Sequence, residues 1–252
     1  MDIYVGPKET RFRVHKRTLC HRILFFDKMF NGSFKECTEN SVKLPEDDPD
    51  AFDMLINWVY FRGVRDLTGI VGSDGEEVAP WDPIEFYALA EKLCLPGLQD
   101  TIMDCISKYH KNTNELPSPD FAYRAYARTS DRSRLQKYAF LGIQHVLEIL
   151  LHEDTEDGWP TCEIQKLFKD HDNFARDYID SVRTGVGEDP REMSKCEFHT
   201  HGIAEACTLE DRKRKISAQS QGQAKRQCRE AEFPSPASSA ASSPASATAP
   251  AS

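Results

Sequence analysis

The chain has 252 residues, 39% of them hydrophobic and 10% aromatic, with 41 acidic against 32 basic side chains for a net charge of −9. That length accommodates one sizeable domain or two small ones and excludes a large multi-domain assembly. The charge is uneven: residues 208–252 hold seven basic and four acidic side chains, so the preceding part is the acidic one, which excludes a globally basic nucleic-acid binder.

Ile3 and Val5 alternate with polar neighbours, a Gly6-Pro7-Lys8-Glu9-Thr10 turn follows, and Arg11-Phe12-Arg13-Val14 alternates again, which predicts a two-stranded hairpin. Leu19, Ile23, Leu24, Phe26 and Phe30 mark a helical hairpin, and Ser41-Val42-Lys43-Leu44, closed by Pro45, predicts a third short strand. Asp48 as N-cap and Pro49 at the first helical position open a helix with Phe52, Leu55, Ile56, Val59 and Tyr60 on one stripe, ending near Gly63. Residues 64–81, with Gly69, Gly72 and Gly75 among acidic neighbours, read as a polar loop. Asp82-Pro83-Ile84-Glu85 starts the next helix, with Phe86, Leu89, Ala90, Leu93 and Cys94 on one stripe and a stop at Pro96-Gly97. Leu98, Ile102, Cys105, Ile106 and Tyr109 define a further helix. Beyond a linker with Pro117 and Pro119, helical patterns run over 121–127, 135–151 and 164–182. The last of these carries Ile164, Leu167, Phe168, His171, Ala175, Tyr178, Ile179 and Val182 on one face.

Several stretches carry a family resemblance. Val5-Gly6, Phe12-Arg13-Val14-His15-Lys16 leading to Leu19-Cys20, Phe25-Phe26 with Phe30, Gly32-Ser33-Phe34-Lys35-Glu36, and Leu44-Pro45-Glu46-Asp47-Asp48-Pro49 with Phe52 and Trp58-Val59-Tyr60 resemble the BTB/POZ domain. The Leu-Pro-Glu-Asp-Asp-Pro and Phe-Asn-Gly-Ser-Phe-Lys-Glu runs are similar to BTB proteins of filamentous fungi. The resemblance spans residues 2–110 and implies an α+β fold, a short β-sheet with helical hairpins. It also implies a non-enzymatic protein-interaction module, usually a homodimer formed through the first helix and the N-terminal strand. Ile3, Leu19, Ile23, Leu24 and Phe26 would then line the dimer interface, and the apolar content of the first helical hairpin exceeds what one face is expected to bury internally. The sequence begins one residue before the strand, so an exchanged strand edge is expected to be incomplete. His15 is expected to bridge backbone groups where strand passes to helix, and Phe25, Phe26 and Phe30 to fill the core. Phe34 and Glu36 fall where many BTB domains carry a hydrophobic-x-Glu element that contacts cullin in ubiquitin ligases. The competing reading is a packed loop residue beside a solvated carboxylate. Residues 118–182 are similar, in helix count and position, to the all-helical extension that follows many BTB domains.

One arrangement has metal-ligand spacing: Cys196-Glu197-Phe198-His199-Thr200-His201, with Cys207 six residues later. Two thiolates and two imidazoles suit a structural tetrahedral zinc ion, although the spacing is not that of a standard zinc finger. The other reading, commoner for such stretches, is a surface Cys/His segment with no cofactor. Gly185-Val186-Gly187 runs into Glu188-Asp189, which would repel phosphate, and the acidic 153–158 run lacks the final Glu of a calcium loop. No catalytic residue and no small-molecule substrate are therefore expected. Arg212-Lys213-Arg214-Lys215 and, nine residues on, Lys225-Arg226 have the form of a bipartite nuclear import signal; a charged tail with no receptor is the equal alternative. Without interleaved aromatics these cations are not expected to read DNA sequence.

No apolar run approaches the ~18 residues of a membrane span, and Met1-Asp2-Ile3-Tyr4 has no signal-peptide character, so a soluble cytoplasmic or nuclear protein is expected. Eight cysteines, too sparse for a disulfide framework, should mostly be small buried hydrophobes. From Phe233 onward, seven Ser, seven Ala and four Pro cannot bury enough apolar area to order the chain. The expected organisation is a BTB/POZ domain at 1–110, a helical extension at 111–193, a Cys/His element at 194–211 and a disordered tail at 212–252. The expected function is a scaffold or adaptor for other proteins. The alternatives are a cullin substrate adaptor and a nuclear transcription or chromatin-associated regulator.

Overall fold

Ile3 and Val5 send both side chains into the interior, and the strand they define, β1 (Asp2–Val5), is the middle of a three-stranded sheet ordered β2-β1-β3. The computed structural model describes residues 1–33, 35–67, 81–148, 159–184, 188–201 and 207. β2 (Thr10–Arg13) pairs antiparallel with β1, Ile3 opposite Phe12, and β3 (Ser41–Leu44) pairs parallel with it, Ile3 opposite Val42. The hairpin turn needs Gly6: its φ is +74°, and a Cβ there would lie 3.0 Å from the Pro49 ring.

A parallel neighbour requires a crossover. Helices α1 (Lys16–Arg22), α2 (Leu24–Asn31) and α3 (Lys35–Glu39) supply it. Leu19, Ile23, Phe26 and Phe30 are fully buried there with Phe52, and Phe25 is half-buried against Phe26. α4 (Pro49–Phe61) starts as expected, with the Asp48 carboxylate accepting the Ala51 N–H at 2.8 Å. It also ends as expected near Gly63, with Arg62 in the left-handed conformation as its C-cap. α5 (Pro83–Lys92) is capped by Asp82, and α6 (Pro96–Thr113) follows after Leu95.

α7 (Pro119–Arg128), α8 (Arg134–Glu148), α9 (Thr161–Asp170) and α10 (Asp172–Thr184) form the helical extension, and the 3₁₀ turn Lys195–Phe198 returns onto α6 and α8. Apolar side chains from 3 to 198 belong to one continuous core, so the first 113 residues and the extension share an interior.

Three expectations require correction. The single helix over 164–182 is two, broken at His171, which is extended (φ −128°, ψ 93°). Asp170, His171, Asp172 and Asn173 are all weak helix formers, and the His171 ring is held edge-on against Tyr123 at 4.6 Å. The rotation at the break carries Ile179 and Val182 to the surface, 53% and 63% exposed, while Phe174 takes the buried place against Tyr126, Phe140 and Phe168. Cys94 leaves the α5 stripe: it has φ +55° and is exposed. Nor are most of the described cysteines fully buried: Cys20 is, Cys37, Cys105, Cys196 and Cys207 are half-buried, and Cys94 and Cys162 are exposed. Among the described residues no helix is long and apolar enough to cross a membrane.

Candidate functional site

α6 and α8 meet around a buried polar pair. His110 Nδ1 lies 3.0 Å from the Tyr138 hydroxyl with the two rings stacked, and burial, with Arg191 nearby, lowers the His110 pKa to about 4, so the ring is neutral at pH 7. Burial raises Tyr138, which keeps its proton. The segment beyond α10 is laid over this joint. Phe198 is buried edge-on against Tyr138 at 5.0 Å, and Lys137 spans its ring and the Glu197 carboxylate.

That anchor delivers the Cys/His element. Thr200 donates its backbone N–H and its hydroxyl to Asp100 Oδ1 at 2.7 and 3.0 Å. His199, 2% exposed, turns Nε2 toward Asp104 Oδ1 at 3.3 Å and Nδ1 toward His201 Nε2 at 3.3 Å and Cys207 Sγ at 3.4 Å. One ligating atom from each of Cys196, His199, His201 and Cys207 lies within 4.8 Å of the other three. All four residues singled out by spacing are thus brought together. Asp100 and Asp104 were not anticipated. Their signal is two carboxylates one turn apart on a helix whose buried residues include Leu98, Ile102, Met103 and Ile106. The adjacent Cys105 behaves differently: burial and the carboxylates of Asp66 and Asp104 push its thiol up to about 11.

A second feature lies between α1 and α4, a groove of about 440 Å³ lined by Arg17, Thr18, His21, Arg22, Val59, Tyr60 and Arg62. Arg17 and Arg62 are exposed and have no ion pair among the described residues, whereas the Arg22 guanidinium covers the Trp58 ring at 5.1 Å. His15, just before α1, takes the Tyr60 hydroxyl, at 2.7 Å from Nδ1 and 3.2 Å from its own backbone nitrogen. It therefore holds a side chain where bridged backbone groups were expected. Leu24 and Phe61 are 63% and 78% exposed.

A three-stranded sheet with one parallel pair, an α1–α3 crossover and a helical pair α5–α6 is the architecture that the sequence resemblance implied, and residues 1–109 match the family model described as BTB/POZ domain. Residues 1–109 are a BTB/POZ domain. Such a domain is a protein–protein interaction module of a non-enzymatic family.

The BTB domain treats the expected partner residues unequally. Ile3, Leu19, Ile23 and Phe26 have no exposed surface, so of the five expected at a dimer interface Leu24 alone offers area to a partner. The hairpin's apolar content is accommodated because it joins one core with Ile3, Val5 and Val42 of the sheet and Phe52 of α4, the last edge-on to Phe26 at 6.4 Å. Glu36 is half-buried on α3, and Phe34 lies outside the described residues. Arg212, Lys213, Arg214, Lys215, Lys225 and Arg226 also lie outside them, as do the glycines of the 64–81 loop, the acidic 153–158 run, Gly185-Val186-Gly187 and the Ser/Ala/Pro-rich tail.

Proposed function

We propose that the protein is a non-enzymatic adaptor that associates with a second copy of itself and carries a partner protein through the BTB domain. The single observation that supports this most is the BTB/POZ domain itself, a protein-interaction module, set on a helical extension that shares its core. A shared core keeps the two parts from moving independently, which suits a platform that holds bound proteins in a fixed relation. The groove between α1 and α4 favours an acidic partner segment: Arg17, Arg22 and Arg62 gather positive charge in a chain of net charge −9, and Val59 and Tyr60 add apolar wall.

Light scattering and affinity purification of the full chain test both parts. The wild type should have the mass of a dimer and Leu24→Asp that of a monomer. Partners captured by the wild type should be lost from the charge-reversed Arg17→Glu/Arg62→Glu protein at an unchanged melting temperature. A monomeric wild type ends the dimer part, and a partner set indifferent to charge reversal ends the groove part.

A narrower reading, a substrate adaptor of a cullin ubiquitin ligase, is favoured by one observation: α3 has no buried residue, so Glu36 sits on a short helix open to a partner. For a nuclear regulator the import-like cations at 212–226 are the supporting feature.

A further inference from the structure

We propose that Cys196, His199, His201 and Cys207 hold one structural zinc ion that clasps the segment after α10 across the seam between the BTB domain and its helical extension. Donor chemistry selects the ion. Two thiolates and two imidazoles are borderline-soft ligands that suit zinc and not magnesium or calcium, and four protein ligands leave no open coordination position for catalysis.

Two of the donor distances are already those of that ion, and all four donor atoms lie within 4.8 Å of one another. Zinc–nitrogen bonds of about 2.05 Å and zinc–sulfur bonds of about 2.3 Å place tetrahedral ligand atoms roughly 3.3 Å apart for two nitrogens and roughly 3.6 Å for nitrogen and sulfur. The structure has 3.3 Å between His199 Nδ1 and His201 Nε2, and 3.4 Å between His199 Nδ1 and Cys207 Sγ. With Cys196 also inside the 4.8 Å set, the four donors surround one point that a small shift of side chains would close on an ion.

Asp104 decides which nitrogen of His199 faces that centre. A carboxylate only accepts, so the ring nitrogen beside it, Nε2, carries the proton, and Nδ1 presents its lone pair to His201 and Cys207. A carboxylate behind a ligating imidazole fixes both tautomer and ring orientation. Asp100, one turn earlier on α6, holds the chain on the other side of His199 through the two Thr200 bonds. Both carboxylates belong to the last helix of the BTB domain, and Tyr138, under Phe198, belongs to α8 of the extension. Metal binding would therefore order residues 195–201 and Cys207 against both parts at once, because binding free energy becomes ordering free energy in a polar segment.

The test uses the full chain purified without chelators or a metal-affinity tag. Elemental analysis should find about one equivalent of zinc, as four ligands of one closed site require. Protein expressed with cobalt in place of zinc should show the intense visible bands of tetrahedral cobalt and thiolate-to-cobalt charge transfer. Cys207→Ser and His201→Gln should lose the metal, and Cys162→Ser, an exposed thiol on α9, should keep it. Asp104→Asn should retain zinc with affinity lowered about tenfold to hundredfold in chelator competition. Hydrogen exchange reads the clasp: amides 196–201 should be protected in the wild type and exposed in Cys207→Ser. A wild type with no zinc above background and no cobalt spectrum overturns the site, whatever the variants do. A metal-loaded wild type whose 196–201 amides exchange as fast as those of Cys207→Ser overturns the clasp.

Discussion

Gly142 on α8 lies so close to the Pro117 ring that a Cβ at position 142 would come within 2.6 Å of Pro117 Cδ and 2.8 Å of Cγ. Neither side can give way easily. Pro117 precedes the Ser118 cap of α7 and its carbonyl accepts the Trp159 indole N–H at 3.2 Å, while position 142 is in mid-helix. The contact sets how near α8 approaches the linker from the BTB domain.

Gly142→Ala should therefore destabilise the protein even though alanine is the better helix former by about 1 kcal/mol. Overpacking of about 1–3 kcal/mol should exceed that gain. Urea unfolding of the full chain measures the balance, and a midpoint equal to or above that of the wild type would mean that the helix and the linker separate at little cost.

A second prediction concerns pH. His110 is buried between α6 and α8 and titrates in the folded protein near 4, whereas in the unfolded chain it takes its proton near 6.5. Between these values the unfolded state binds more protons, so stability falls as pH drops through the window. At about 1.4 kcal/mol per pKa unit, the full loss attributable to His110 is about 3 kcal/mol, absent at pH 7.5 and complete below pH 4. His110→Gln should be less stable at neutral pH and show a shallower decline than the wild type from pH 7 to 4.5. Parallel pH profiles for the two proteins would place the protonation of His110 elsewhere.

The strands and the cap residues Asp48 and Asp82 were legible because they depend on local spacing and on side chains that bond their own helix. The two-helix break at His171 was not, because apolar residues kept helical spacing on both sides and the deciding contact comes from Tyr123, 48 positions earlier. The four residues of the Cys/His cluster could be picked out by residue type and spacing. Asp100 and Asp104 could not be joined to them without the return of residues 195–201 onto α6, a contact about a hundred residues long-range. Leu19, Ile23 and Phe26 looked like surplus apolar area because a sequence shows how much a helix must bury and not which distant residues, here Ile3, Val42 and Phe52, share its core.

The seam also carries charge. Arg128 grips Glu85 with two nearly parallel bonds, Nε to Oε1 at 2.9 Å and Nη2 to Oε2 at 2.6 Å, while Arg124 pairs with Asp82 one turn away, so α7 is tied to the N-terminal turn of α5. Arg128 is 42% exposed, which screens the pair, so Arg128→Ala should cost about 0.5–1 kcal/mol, less than Gly142→Ala. The loss should shrink in 1 M salt. A salt-independent loss would attribute the effect to packing of the arginine stem.

The cullin reading makes a prediction that separates contact from folding. No residue of α3 is buried and Glu36 keeps part of its surface, so Glu36→Ala should leave the melting temperature within the range of ordinary surface changes, about 0.5 kcal/mol. Combined as Phe34→Ala/Glu36→Ala, the substitutions should abolish copurification of cullin with the full chain while circular dichroism and the dimer mass stay those of the wild type. Two outcomes count against the reading. A double variant that unfolds would make Phe34 part of the packing beneath β3 and not a contact, with Glu36→Ala alone then leaving cullin bound. A wild-type protein that retains no cullin from an extract in which a known cullin-binding domain does so would end it, leaving the adaptor to partners of another kind.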